Sequence, residues 1–75
     1  KEYQVVNVAA LAELFPQGGE ITVADLVAKG AVRDGYPVKV LGDGEVSAAY
    51  TIKGVKASAS AKSKIEAAGG SISED

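Results

Sequence analysis

Several groups of residues in this chain have the types and spacing that chemistry uses. Gly42-Asp43-Gly44 is a glycine pair around one residue, a turn whose backbone N–H groups can cradle an anion. Asp43 and Glu45 offer two carboxylates for acid–base work, and Ser58/Lys62 and Ser60/Lys64 each set a hydroxyl four residues from an amine. Lys53, Lys56, Lys62 and Lys64 fall within twelve residues and could neutralise phosphates.

Each group has a simpler reading. A dinucleotide fingerprint needs a third glycine where Ser47 stands, and a helix where Val46 to Ile52 alternates like a strand. There is no Gly-Lys-Ser/Thr motif, so Gly42 to Gly44 reads first as a plain turn, with close backbone approach to RNA as the alternative. The chain contains neither histidine nor cysteine. The usual general base, the commonest metal ligand and any thiolate site are therefore missing. Without a pocket to shift their pKa values, Asp43 and Glu45 are two solvated acids. An exposed lysine stays protonated, so the serine–lysine pairs are no nucleophiles. No catalysis, metal, cofactor or small-molecule substrate is expected.

The elements that position these residues follow from the pattern. Seventy-five residues make one domain, 1–75, with room for a single core. With 47% apolar and 24% charged residues the chain is foldable. Only Tyr3, Phe15, Tyr36 and Tyr50 are aromatic, so the core must come from Val, Ile, Leu and Ala. Tyr3 to Val6 reads as a strand, and Asn7 as the N-cap of a helix carrying Val8, Leu11, Leu14 and Phe15. Pro16 stops that helix. Glu20-Ile21 pairs briefly, and Thr22 with Asp25 makes a capping-box variant for a second helix, ended by Gly30 in a left-handed C-cap. Val38 to Leu41 is a strand, and Val46 to Ile52 alternates with period two, a half-buried strand region. Ser58 or Ser60 caps a third helix with the stripe Ala61/Ile65/Ala68, stopped by Gly69-Gly70. Ser71 to Ser73 is a last short strand, and Glu74-Asp75 a solvated tail. The expected fold class is α/β, a small single domain of short strands and about three short helices.

Charge sharpens the lysine reading. The net charge of −2 argues against an autonomous nucleic-acid binder, but Val46 to Gly70 holds four lysines and one acid, whereas Glu13 to Asp25 holds three acids and no base. On the third helix, Lys62 and Lys64 flank the apolar stripe, and the opposite face carries the small residues Ala59, Ser60, Ser63 and Ala67. Such a face lets a phosphate backbone approach, and a serine-capped helix start offers free N–H groups. The bland alternative is a solvated face of good helix formers. No apolar run reaches the roughly 20 residues a membrane span needs, so no membrane partner is expected.

Several blocks, in order, resemble one family. Val38-Lys39-Val40-Leu41-Gly42-Asp43-Gly44-Glu45, Ile52-Lys53, Ser60-Ala61-Lys62 and Ile65-Glu66-Ala67-Ala68-Gly69-Gly70 are similar to the C-terminal half of bacterial large ribosomal subunit protein fifteen. So are Tyr3-Gln4-Val5-Val6-Asn7-Val8, Phe15-Pro16-Gln17-Gly18-Gly19 and Val23-Ala24-Asp25-Leu26-Val27-Ala28-Lys29-Gly30-Ala31-Val32, and the actinobacterial branch resembles it most. The resemblance implies an irregular β-β-α superhelix. It implies a structural, non-enzymatic constituent of the large ribosomal subunit in the cytoplasm. That constituent binds 23S ribosomal RNA, touches neighbouring ribosomal proteins and supports assembly. It also implies a basic N-terminal extension preceding this domain in a longer chain. The residues it nominates for RNA are Lys39, Gly42, Gly44, Lys53, Lys56, Ser58, Lys62 and Lys64. The sequence departs from the family at Val55 and Ala57, where a His-Lys-Phe-Ser run is common, and at Ala48 and Ala49, where basic residues often stand. A protein-interaction module contacting ribosomal neighbours is the alternative function, and a small enzyme a distant third.

Overall fold

The structure, a computed structural model, describes residues 3–74. Its elements follow in the order β1 (Gln4–Asn7), α1 (Val8–Leu14), β2 (Gly19–Ile21), α2 (Val23–Ala28), β3 (Val38–Leu41), β4 (Tyr50–Lys53), β5 (Lys56–Ala57), α3 (Ala59–Ala67) and β6 (Ser71–Ser73). The strands form two three-stranded sheets, ordered β1-β3-β5 and β2-β4-β6, with every pairing parallel. The chain therefore changes sheet at each successive strand. One odd and one even strand make a coil, and three coils stack: the α/β superhelix that the resemblance implies.

Register explains why the stack holds. Val6 pairs with Val40 and Val40 with Ala57 along one wall. Ile21, Ile52 and Ile72 are successive partners along the other. These residues point inward, and Val6, Val40, Ile21, Ile52 and Ile72 are buried in one cluster with Val8, Leu11, Leu26, Ala61 and Ile65 from the three helices. A two-residue period puts the alternate positions outside. Val5, Lys39 and Lys56 form one outer row, and Glu20, Thr51 and Ser71 another. No buried polar or charged residue interrupts the core among the described residues.

Local signals place the helices, with one exception. Thr22 and Asp25 form the full capping box: the Thr22 hydroxyl accepts from the Asp25 N–H at 3.3 Å, and the Asp25 carboxylate accepts from the Thr22 N–H at 2.9 Å. Ser58, not Ser60, caps α3, accepting from the Ala61 N–H at 3.1 Å. Gly30, at φ +78°, ends the turn after α2. Asn7 holds the N-cap position of α1, but its side chain makes no cap bond and its Oδ1 is buried without a partner among the described residues. The Asp43 carbonyl caps α1 instead, accepting from the Ala9 N–H at 3.2 Å.

The strand expected across Val46 to Ile52 forms only from Tyr50. The alternation is real, since Val46 and Ala48 are half-buried while Ser47 and Ala49 are exposed. What is missing is a neighbour to pair with. Its partner β2 begins at Gly19, just after the turn at Pro16 and Gln17, and the pairing starts with Gly19 against Tyr50. Glu74, read as a solvated tail, forms an ion pair with Lys56 at 3.4 Å, while Asp75 lies outside the described residues.

Tyr50 links the middle coil to the first helix. It is the largest fully buried side chain, and its hydroxyl donates to the carbonyls of Leu11 at 3.1 Å and Phe15 at 2.7 Å. Both carbonyls, at the end of α1, also accept a backbone N–H, Leu11 from Phe15 at 2.8 Å and Phe15 from Gly18 at 3.0 Å. Burial raises the pKa of the Tyr50 phenol, so it remains a donor throughout the neutral range. Gly70 packs flat on the Tyr50 backbone, where a Cβ would collide with its carbonyl and N–H. Tyr50→Phe keeps the ring but removes the donor. We expect a loss of about 1–2 kcal/mol, seen as a fall in Tm of about 5–15 °C in thermal unfolding. An unchanged Tm would mean that the ring alone matters.

Candidate nucleic-acid interface

The candidate residues divide into those that serve the fold and those that face outward. Gly42 lies against the first turn of α3, where a Cβ would overlap the Ser60 hydroxyl and crowd the Ala61 N–H. Gly44, at φ +106°, lies against Ala9 of α1 in the same manner. The absent side chains thus let the loop after β3 pack between two helices. Ser58 caps α3, and its own N–H donates to the Val40 carbonyl at 3.0 Å.

Lys64 belongs with this loop. Its ammonium donates to the carbonyls of Gly42 at 2.7 Å and Gly44 at 2.6 Å. With Ala9 bonded to Asp43, three consecutive carbonyls of the turn face donors from α1 and α3. An anion cradle needs converging N–H groups, whereas this turn converges its acceptors on a lysine. The sequence pattern puts Lys62 and Lys64 on opposite sides of the apolar stripe of α3, at the two margins of its small-residue face. The structure sends them apart, Lys64 to the loop and Lys62 to a cleft lined by Val55, Ala57, Ile72 and Glu74.

The other lysines lie on the outside of the coils. Lys39 and Lys56 are adjacent partners on the outer row of the β1-β3-β5 sheet. Lys53 ends β4 opposite Ser73 and is exposed, as is Lys62. The ammonium groups of Lys39, Lys53 and Lys62 have no hydrogen bond or ion pair among the described residues. Lys56 differs. Its hydrogen bond to the Glu74 carboxylate, the attraction of that charge and a smaller contribution from the Tyr3 phenol hold its pKa above the ordinary lysine range. Lys53, Lys56 and Lys62 thus border the last coil, and Glu74 lines the clefts that hold Lys56 and Lys62.

Asp43 and Glu45 are exposed in the loop, and no cluster of metal-ligating side chains occurs among the described residues. No helix of the described residues is long and apolar enough to cross a membrane.

Comparison with known proteins identifies the family. Residues 5–73 match the family described as ribosomal proteins 50S-L15, 50S-L18e and 60S-L27a. A Bifidobacterium adolescentis protein named large ribosomal subunit protein uL15 is 95% identical over 75 residues, covering 100% of this chain and 51% of that protein. The protein of the same name from Bifidobacterium longum strain DJO10A is 77% identical over 74 residues, 99% of this chain and 49% of its own length. That from Frankia casuarinae is 64% identical over 73 residues, 97% of this chain and 46% of its own. The chain thus spans about half the length of the curated relatives it matches.

The Lys64 clasp can be tested apart from any RNA. Lys64→Met keeps the stem and removes the charge, leaving two carbonyls without their donor. The expected cost is about 1–2 kcal/mol, with faster amide exchange at Ala9, whose N–H bonds the same loop. No change in stability or exchange would show the clasp to be idle.

Proposed function

Since the chain belongs to the family of ribosomal proteins 50S-L15, 50S-L18e and 60S-L27a, we propose that it is a structural part of the large ribosomal subunit that packs on 23S ribosomal RNA without catalysing a reaction. The observation that carries this is the group of exposed lysines bordering the last coil: Lys53 and Lys62 have no hydrogen bond or ion pair among the described residues, and Lys56 is paired with the exposed Glu74 carboxylate. Lys53, Lys56 and Lys62 neutralise phosphates in this reading, and Lys39 extends the same charge along the sheet. Gly42, Gly44, Ser58 and Lys64 act from behind, shaping the loop and α3 on which the contact rests.

Recognition here is of shape and charge rather than of base sequence. Phosphate contacts position a protein on RNA and carry no sequence information themselves. The net charge of −2 limits the affinity of this chain on its own. In the same reading the chain is the C-terminal domain of a longer protein, in the cytoplasm on the ribosome, with a basic N-terminal extension supplying most RNA affinity. Its spanning half the length of its relatives supports that division. Neighbouring ribosomal proteins contact the acidic remainder of the surface.

Binding of the chain to 23S RNA fragments is expected to be weak and salt-dependent. With about three phosphates neutralised, log K should fall against log salt with a slope near −3. Replacing Lys53 and Lys62 by Glu should abolish measurable binding while leaving the circular dichroism spectrum unchanged. Salt-independent binding would contradict the reading. Undiminished incorporation of that variant into large subunits would favour a protein contact at this face instead.

A further inference from the structure

The exposed large apolar side chains of the described residues are Tyr3, Val5 and Tyr36, at 41%, 53% and 52% exposure. They are far apart in sequence, yet all three lie at one end of the β1-β3-β5 sheet. Tyr3 immediately precedes β1, Val5 lies on it, and Tyr36 stands two residues before β3. Gln4 fixes this end: its side chain donates to the Arg33 carbonyl at 2.9 Å and accepts from the Arg33 N–H at 2.7 Å, tying the loop before β3 to β1. The outer row that begins at Val5 continues through Lys39 to Lys56.

Lys56 connects the aromatic end to the charge. Its ammonium sits 6.0 Å from the centre of the Tyr3 ring and 3.4 Å from the Glu74 carboxylate. Tyr3, Pro37, Lys56 and Glu74 line one open cleft. An exposed ring, a cation beside it and an anion already held by that cation form a set with a specific chemical reading. Aromatic faces flanked by lysines bind unstacked bases, because every base has a π-face and every nucleotide brings a phosphate. In a duplex the bases are shut in the stack, and an RNA duplex offers chiefly sugars and phosphates.

Resting on the RNA reading above, we propose that the Tyr3–Lys56 end of this sheet is a platform for one single-stranded RNA nucleotide. The base lies against the Tyr3 ring, and the phosphate takes the place of the Glu74 carboxylate on Lys56. Glu74 is a placeholder: an exposed ion pair is weak enough to be exchanged, and until then it keeps the lysine extended beside the ring. Lys39, the next residue in the row, meets the neighbouring phosphate.

The test measures binding of the 75-residue chain to two labelled RNAs by fluorescence anisotropy. One is an unstructured strand of about eight nucleotides, the other a duplex of about 16 base pairs. Tyr3→Ala should weaken single-strand binding about tenfold and leave duplex binding unchanged. Tyr3→Phe should retain it, because the ring is kept. Glu74→Gln should tighten single-strand binding about twofold to threefold by releasing Lys56. Lys56→Gln should weaken it and make the salt slope shallower by about 0.7. Equal single-strand affinity of Tyr3→Ala and the parent chain would overturn the platform, as would duplex binding without single-strand binding, and both would leave the broader RNA reading standing. Binding of neither RNA by the parent chain would overturn both. An acidic peptide that binds with the same dependence on Tyr3 would assign the platform to a protein partner and overturn it for RNA.

Discussion

Two parallel strands cannot be joined by a tight turn, because the chain must return to the starting end before it can run alongside itself. Larger proteins make that return through a long helix. This chain makes it through the opposite sheet, so that each strand of one wall is part of the crossover for the other. Everything else depends on this economy. The strands need only two to four residues, since no strand has to bury a face alone. The core needs few aromatics, because rows of Ile and Val from successive coils lie on one another. The helices fill the corners where the chain passes from wall to wall.

The same arrangement decides what the loop after β3 must be. In the middle coil the passage from wall to wall, Gly42 to Ala49, carries no helix. It is held by its neighbours: α1 through the bond from Ala9 to Asp43, and α3 through Lys64 to Gly42 and Gly44. Glycine is required at Gly42 because the α3 backbone passes where a side chain would stand. A motif that looks like a ligand loop in one dimension is a joint between helices in three. The lysines that stay exposed, Lys53, Lys56 and Lys62, are those that the coil geometry turns outward.

What the sequence disclosed divides along the range of the interactions. Thr22 with Asp25, Gly30 and Pro16 act within one turn of chain, and their patterns were sufficient to place helix ends; the start of α3 was narrowed to Ser58 or Ser60, and the structure chooses Ser58. The apolar alternation of Val38, Val40, Tyr50 and Ile52 was likewise visible. Pairing was not, because the partner of Ile21 lies 31 residues on at Ile52, and nothing local distinguishes parallel from antiparallel neighbours. Val46 to Ala49 carried a true strand pattern and lacked only a partner. Asn7 looked like a cap because its side chain suits one, while the group that performs the task arrives from Asp43. The role of Lys64 was hidden for the same reason, its acceptors being 20 and 22 residues upstream. The cluster of Tyr3, Val5 and Tyr36 was equally invisible, since only the sheet brings them together.

The alternation of sheets also sets the order in which the molecule can come into being. A chain emerging from its own synthesis presents β1 and β2 first, and neither has anything to pair with. The partner of β1 is β3, and the partner of β2 is β4. The first coil, with its two helices, therefore waits unpaired until the second has followed it out. The last wall closes only with Ser71 to Ser73. Contacts between distant segments also form slowly. This domain is thus acquired late and nearly all at once, and until then its apolar rows are open to any other chain that offers an edge.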